Sequence, residues 1–229
     1  MSEPGNRRGR IHDAEGAREA LLNAAEEVFT EHGFDGARID AIAALAGYNK
    51  SLIFQYYGDK VGLYLAVIKR ADQEMGQLQR EIFAPLLADE SVGSDVRKFK
   101  VLLEKVIGML YDYMAEHPRL LRMIIWEQAE GWKTYKKIYE QFANSDTEPV
   151  VEIFNVAKKN GLLHSDFSPL LQLTMAMEVC LTHLSWLPLY QLMQPDENFA
   201  SAAARARSRA YVINFIVAGI LIDPSENHP

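Results

Sequence analysis

The sequence predicts an all-α protein in which three N-terminal helices of unequal length precede a larger helical domain. Two observations predict this fold class. Apolar side chains recur at spacings of three and four along most of the chain, as at Leu21, Ala25 and Val28, and this period is typical of helices that bury one face. Glycines and prolines interrupt the apolar stripes where helices begin and end, and no segment shows a convincing strand pattern or an internal repeat.

The first 58 residues predict three helices joined by tight turns. The first helix begins near Asp13 and ends at Gly33, the second ends at Gly47, and the third lies between Asn49 and Gly58. Glycine tolerates the left-handed conformation that ends helices, and an asparagine side chain can cap a helix N-terminus. The second and third helices are too short to persist alone. They therefore need the first as a partner, as in a helix-turn-helix unit within a three-helix bundle.

The remaining residues predict a second, larger helical domain. We expect a disordered basic arm at residues 1–12, the helix-turn-helix unit at 13–58 and the larger domain at 59–229. The helices of that domain are predicted at about 59–85, 95–116, 119–129, 169–193 and 198–222, with residues 133–143 and 148–160 forming one helix or two. The start at 169 is well marked, because Ser168 supplies a capping hydroxyl and Pro169 follows at the first helical position.

The composition excludes several classes of protein. The formal net charge is −7, 48% of the residues are hydrophobic and Cys180 is the only cysteine. A lone thiol without a signal peptide suits the reducing cytoplasm. Residues 170–193 and 211–222 are strongly apolar, and we interpret both as helices buried in protein rather than in lipid. The first is interrupted by charged residues and proline, and the second is too short to cross a bilayer.

No pattern points to catalysis or to a cofactor. The sequence lacks a His-Glu-x-x-His motif, a glycine-rich phosphate loop and a cysteine cluster, which are the common signatures of such sites. The six histidines are dispersed, and no two have the spacing of metal ligands. We therefore predict neither an enzyme nor a bound cofactor or metal.

Basic charge is concentrated near the third helix despite the acidic total. Residues 1–12 hold three arginines against one glutamate, and residues 36–70 hold five basic residues against two aspartates. The outward side chains predicted on the third helix are Lys50, Ser51, Leu52, Gln55 and Tyr56. Such side chains suit the DNA major groove, where lysine binds guanine or phosphate, glutamine reads adenine and leucine meets a thymine methyl group. Lys60 starts the fourth helix, whose free N–H groups also attract phosphate.

The stretch 37–63 resembles the DNA-binding signature of the TetR family of bacterial transcriptional regulators. The matching positions are Ala37, Ile39, Ile42, Ala43, Ala46, Gly47, Tyr48, Asn49, Ser51, Ile53, Phe54, Tyr56, Tyr57, Lys60 and Leu63, and Phe29, Gly33, Phe34 and Gly36 match upstream. The departures are Arg38 in place of a capping Ser or Thr, Phe54 in place of a tyrosine, Tyr48 in place of a small aliphatic residue and Asn49 in place of a serine. With this resemblance, the predicted DNA-contacting residues are Arg38, Tyr48, Asn49, Lys50, Ser51, Leu52, Phe54, Gln55, Tyr56 and Lys60.

The resemblance also implies a homodimer and a small-molecule pocket in the larger domain. The apolar character of residues 170–190 and 211–222 independently favours helices packed between two chains. The predicted effector-binding residues are Met109, Tyr113, Met123, Trp126, Phe142, Met175, Glu178 and His183, with Tyr135, Phe154 and Trp186 as further candidates. Ordinary core packing is the alternative for the apolar members, and Glu178 and His183 are equally suited to the dimer interface.

The sequence thus predicts a cytoplasmic, homodimeric transcriptional regulator, a repressor of the TetR type. It would bind a palindromic operator in double-stranded DNA and leave it when a largely apolar small molecule binds. The alternative is an all-helical ligand-binding or scaffolding protein that has lost DNA binding, which the acidic total and the missing hydroxyl at Phe54 favour.

Overall fold

The protein is almost entirely helical. The computed structural model describes residues 6–142, 148–164 and 168–222. Its helices are α1 (Asn6–Gly36), α2 (Ile39–Ala46), α3 (Lys50–Tyr57), α4 (Lys60–Leu87), α5 (Val96–Glu116), α6 (Pro118–Ala129), α7 (Tyr135–Ile138), α8 (Glu148–Lys159), α9 (Pro169–Met193) and α10 (Ala202–Ile220), with a 3-10 turn at Tyr139–Phe142. Within the described ranges, β-type pairing is limited to a bridge between Leu163 and Leu221. The predicted all-α fold class is confirmed.

The chain forms two compact units whose boundaries differ from the expected ones. One unit comprises the described part of residues 1–74 and 119–143, and the other that of 75–118 and 144–229. The helices α6 and α7, which the sequence placed in the larger domain, therefore belong with α1, α2 and α3. Helix α1 begins at Asn6, so residues 6–12 are helical where a disordered arm was expected; residues 1–5 of that arm lie outside the described residues.

The N-terminal unit has a core of its own. Phe29, Ile42, Ile53 and Leu63, from the first four helices, are all fully buried. Tyr64 packs its ring edge-on to Phe29, with centroids 5.0 Å apart. The core also includes Met123 and Ile138. Helices α6 and α7 therefore belong to this unit, because their apolar side chains complete the cluster that α1 to α4 form.

A close approach at Gly33 fixes the end of α1 against α6. Gly33 has a φ of +67°, in the left-handed region where a side chain is strained. A Cβ atom at this position would also lie 3.1 Å from the ring of Trp126 and 3.1 Å from the carboxylate of Glu130. The indole N–H of Trp126 donates to the carbonyl of Thr30 at 3.1 Å. Glycine is therefore needed here for both conformation and space.

A buried carboxylate lies in the same unit. Glu127 is only 4% exposed. It accepts a hydrogen bond from the Tyr64 hydroxyl at 2.9 Å and another from the Tyr135 backbone N–H at 3.1 Å. Burial, and then the neighbouring Glu127 carboxylate, raise the pKa of Tyr64 far above its ordinary value, so Tyr64 remains a donor. The bond links α4 to α6 through a side chain that periodicity alone does not single out.

The second unit is organised around α5. Ten residues of α5 are buried. The ring of Phe99 in α5 packs edge-on to the ring of Phe154 in α8, with centroids 5.3 Å apart. The guanidinium of Arg209 in α10 donates two hydrogen bonds to the carboxylate of Asp112 in α5, at 2.6 and 2.7 Å. This bidentate ion pair links α10 to α5.

Helices α9 and α10 leave much apolar surface uncovered. Leu192 is 78% exposed, Tyr211 71%, Met193 68% and Phe215 60%. By length and composition alone α9 would be capable of crossing a membrane, and only 22% of its most apolar window is buried within the chain. The expectation that these two helices are buried is therefore not met within one chain.

Candidate DNA-binding surface

Helix α3 begins at a side-chain cap and lies between the capped end of α2 and the capped start of α4. Gly47 ends α2 in the left-handed conformation, with a φ of +74°. Asn49 then caps α3, because its side-chain oxygen accepts from the Ser51 N–H at 3.0 Å. Arg38 stands at the N-cap of α2 and makes no capping bond with its side chain, as expected for a residue that replaces serine or threonine. Asp59 caps α4 by accepting from the Gly62 N–H at 2.7 Å.

One face of α3 points into the core and the other to solvent. Ile53 is fully buried, and the Tyr57 hydroxyl donates to the Arg18 carbonyl of α1 at 3.0 Å. Burial raises the pKa of Tyr57, which keeps this donor protonated. The exposed residues on the opposite face are Lys50, Ser51, Phe54 and Gln55.

Two predicted contact residues on α3 differ from the rest. Leu52 and Tyr56 are half-buried and pack against the core cluster, as does Tyr48 before the helix. The outward position expected for Leu52 and Tyr56 is therefore only partly met, because a helix of two turns needs more than one buried stripe to stay in place.

Two cations of this surface, Lys50 and Lys60, have protein partners. The Lys50 ammonium lies 2.9 Å from the Asp40 carboxylate of α2, and both groups are exposed. Lys60 donates to the Asp35 carbonyl at 3.3 Å and lies 4.6 Å from the centre of the Phe34 ring. Burial lowers the pKa of Lys60. Lys60 is thus directed to its own unit, whereas an exposed pair such as Lys50–Asp40 is weak enough to exchange partners.

Arg18 of α1 lies beside α3, although the sequence did not single it out as a residue of this surface. The guanidinium of Arg18 in α1 lies 4.7 Å from the centre of the Tyr56 ring. The sequence shows Arg18 only as a lone basic residue within an acidic helix, so its place beside α3 emerges only when α1 packs against α3.

The predicted effector-binding residues are divided between the two units. Met123 is buried in the core of the N-terminal unit and Trp126 is fixed there by its bond to Thr30, so packing accounts for both. Met109 and Tyr113 are buried in α5 of the other unit. Tyr113 stacks on His117, with centroids 4.0 Å apart. The side chain of Phe142 lies outside the described residues.

The last three predicted effector residues share an open groove between α9 and α10. The groove has a volume of about 450 Å³, and its walls are Met175, Glu178, Val179, Thr182, His183, Tyr190, Tyr211, Val212 and Phe215. Glu178 is exposed rather than buried in an apolar helix. His183 is half-buried, its Nε2 atom has no hydrogen-bond partner among the described residues, and burial lowers its pKa.

Comparison with known proteins agrees with this arrangement. The family profile of bacterial regulatory proteins of the tetR family matches residues 21–67, and that of the tetracyclin repressor-like C-terminal domain matches residues 103–217. The first match spans the helix-turn-helix, and the second spans half of the chain.

Two characterised relatives are repressors. The transcriptional repressor SCO4008 of Streptomyces coelicolor is 37% identical over 118 residues, which are 52% of this chain and 53% of that protein; the chain thus spans about half the length of this relative. The repressor NicS of Pseudomonas putida is 24% identical over 176 residues, 76% of this chain and 73% of that protein.

A solved structure extends the likeness to most of the chain. SmeT is the repressor of a multidrug efflux pump of Stenotrophomonas maltophilia. The structure of its complex with triclosan matches this chain with a TM-score of 0.57 at 17% identity, covering 91% of this chain and 93% of that one. At this identity the likeness shows the fold alone. With a helix-turn-helix match at one end and a regulatory-domain match over half its length, the chain belongs to the TetR family of bacterial transcriptional regulators.

Proposed function

We propose that this chain is a repressor that binds a near-palindromic operator as a homodimer and leaves it when a small, largely apolar effector binds. The proposal rests on the orientation of α3. Ile53 is buried in the core on one face of this helix, and the residues exposed on the other face are Lys50, Ser51, Phe54 and Gln55. The first residues of a recognition helix are those that reach base edges. The repressor names of SCO4008 and NicS support the sign of the regulation.

The exposed apolar faces of α9 and α10 support the homodimer. Large apolar side chains such as Leu192 and Tyr211 are rarely left uncovered on a monomer. A second copy would cover them through a twofold interface, in which the same patch serves both chains. Two recognition helices related by that axis call for an operator whose half-sites are related in the same way.

Effector release is supported by the complex of SmeT with triclosan. A chain that shares the fold can use an apolar small molecule in the same role, provided that the molecule binds the DNA-free state more tightly than the DNA-bound state. Of the eight predicted effector-binding residues, Met109, Tyr113, Met175, Glu178 and His183 lie in the larger unit and remain the candidates.

The competing function is that of a helical ligand-binding or scaffolding protein that does not bind DNA. For both functions we propose a cytoplasmic location. The pairing of Lys50 with Asp40 and the inward direction of Lys60 favour it, because both lower the charge available to phosphate. The salt dependence of duplex binding separates the two functions, since every phosphate contact makes the affinity fall as salt rises.

Selection of duplex DNA from a random pool tests the proposal directly. We expect a two-half-site sequence, and we expect Lys50→Ala to weaken binding to it by about 1–3 kcal/mol and to relax the preference at one base pair. Lys100→Ala, which removes an exposed charge from α5, is the matched control. A pool that yields no enriched sequence would reject the proposed function. A Lys50→Ala variant that binds matched and mismatched sites with the same affinities as the wild type would reject the DNA-reading role of Lys50.

A further inference from the structure

We propose that Arg18 of α1 binds a DNA phosphate and that Tyr56 of α3 is the positioning residue that holds its guanidinium beside the recognition helix. This inference rests on the proposed function, because it takes duplex DNA as the partner. It adds to the DNA surface a residue of α1, outside α2 and α3, that the sequence places in an acidic helix.

Two contacts fix Arg18 against the end of α3. The hydroxyl of Tyr57 donates to the backbone carbonyl of Arg18 at 3.0 Å, which holds the main chain of α1 in register with α3. The side chain of Arg18 then turns over the neighbouring ring, with Cζ 4.7 Å from the centre of Tyr56. The two tyrosines are the last two residues of α3, so one anchors the backbone of Arg18 and the other its side chain.

The contact with Tyr56 leaves N–H donors of the guanidinium available. Arginine offers five N–H donors in one plane, and Arg18 lies over a ring rather than against a hydrogen-bond acceptor. The cation–π contact is worth about 0.5–1 kcal/mol at an exposed site. It also restricts a flexible side chain before DNA arrives, so less rotamer freedom is lost on binding. The available N–H donors match the bidentate geometry of phosphate.

Arg18 is also one of the cations of this region that no described carboxylate binds. Lys50 is paired with Asp40, Lys60 is directed to the Asp35 carbonyl and the Phe34 ring, and Arg70 is bound by Glu26. Among the described side chains, none of the carboxylates, including those of Glu15 and Glu19 on the same helix, forms an ion pair with Arg18. Its side chain is exposed, so a phosphate can reach it without displacing an acid.

The test measures how the affinity for the selected duplex depends on salt. Neutralising one phosphate contributes about −0.9 to the slope of log affinity against log salt concentration. We expect Arg18→Ala to make the slope shallower by about 0.9 and to lower affinity about tenfold, as for the loss of one charge-assisted hydrogen bond. Arg97→Ala, which removes an exposed arginine from α5 in the other unit, should leave the slope unchanged.

Tyr56 variants test the positioning role. Tyr56→Phe keeps the ring; losing the hydroxyl can lower the affinity but should leave the salt slope unchanged, because a neutral donor displaces no counterion. Tyr56→Leu removes the ring and should give the shallower slope of Arg18→Ala. The double variant Arg18→Ala with Tyr56→Leu should lose no more than either single variant, because both changes remove the same contact. Thermal unfolding of each variant, followed by circular dichroism, confirms that the unit remains folded.

Each result supports or overturns a defined statement. An unchanged slope for Arg18→Ala overturns the phosphate contact, while the proposed function stands because the wild type still binds the duplex. A shallower slope for Arg18→Ala with an unchanged slope for Tyr56→Leu, or strictly additive losses in the double variant, overturns the positioning role. A wild type that selects no duplex overturns the proposed function, and the inference with it.

Discussion

The N-terminal unit and the α9–α10 pair use apolar residues in opposite ways. In the first unit Phe29, Ile42 and Ile53 are fully buried within one chain, and the surface of α3 is mostly polar. In α9 and α10 large side chains such as Leu192 and Tyr211 remain more than 70% exposed. The contrast shows that the N-terminal unit buries its apolar side chains within one chain, whereas α9 and α10 fold but leave large apolar side chains exposed to solvent. We therefore expect substitutions in the two regions to act on different equilibria.

Truncating the N-terminal core should have the largest effect on folding. Phe29→Ala removes a fully buried ring that contacts both Phe34 and Tyr64. We expect the free energy of unfolding to fall by about 3–5 kcal/mol, measured by denaturant titration. Phe54→Ala, at a position that is 49% exposed, should change it by less than about 0.5 kcal/mol. Similar losses at the two positions would contradict the self-contained core.

A charge in the α9–α10 groove should break association rather than folding. Phe215→Arg places a guanidinium on the groove wall at a position that is 60% exposed in one chain. Burying an unpaired charge between two copies costs several kcal/mol, so we expect the dimer dissociation constant to rise more than a hundredfold. Sedimentation equilibrium measures this. Tyr139→Arg, an equally exposed position in the other unit, should leave the dimer intact, and a Phe215→Arg dimer of unchanged affinity would contradict the twofold interface.

Removing the buried carboxylate should have an intermediate effect on folding. Glu127→Ala leaves the Tyr64 hydroxyl and the Tyr135 N–H without their acceptor. An unsatisfied buried donor costs about 1–3 kcal/mol, which thermal or denaturant unfolding can measure. In a Tyr64→Phe background the same change should cost less, since one of the two donors is already gone. Equal costs in the two backgrounds would show that the bond contributes nothing.

Acid should weaken the second unit through His183. Burial lowers the pKa of this side chain, so the unfolded chain takes up its proton near pH 6.5 and the folded chain only at lower pH. The free energy of unfolding should therefore fall as the pH drops below about 6.5, by less than about 1.4 kcal/mol for each unit of difference between the two pKa values. Above that pH the effect should vanish.

The matched comparison for this pH effect is between two histidine variants. His183→Gln should abolish the acid-dependent part, whereas His164→Gln, at an exposed position, should retain it. The neighbours of His183 in α5 and α9 are the rings of Tyr111 and Tyr190, at 6.1 and 5.9 Å. An identical pH profile for wild type and His183→Gln would reject the assignment.

The smallest expected effect lies on the DNA-facing surface. Asp40→Asn frees Lys50 from an exposed ion pair, and such pairs are worth about 0–1 kcal/mol. We expect affinity for a selected duplex to rise by up to about fivefold, with little change in stability. Gel-shift titration measures the gain, and a weaker complex would indicate that Asp40 itself takes part in base recognition.

The local features of the recognition region were predictable from the sequence. Gly47 and Gly58 mark helix ends, Asn49 caps α3, and the spacing from Ile42 to Ile53 places both in the core. These assignments depend on backbone conformation and on periodicity, and both of these are properties of short segments. The helices α5, α6 and α9 likewise begin within one residue of the predicted positions.

The contacts that decide the chemistry of the site were not predictable in this way. Arg18 meets Tyr56, Tyr64 meets Glu127, and Lys60 turns to Asp35, each across more than twenty residues of chain. Periodicity assigns a side chain to a face of its helix but does not identify the residue that the face meets. The same limitation placed Met123 and Trp126 in an effector pocket, although they pack within the N-terminal unit.

The sequence by itself determined the helices, their caps and the family signature, because hydrogen bonds between near neighbours and the helical period settle those features locally. Only the tertiary structure decided which unit α6 belongs to, which cationic side chains lack a carboxylate partner among the described residues, and which apolar helix faces stay exposed to solvent. Those outcomes depend on packing between distant segments, where burial, charge pairing and available space are set by both partners at once.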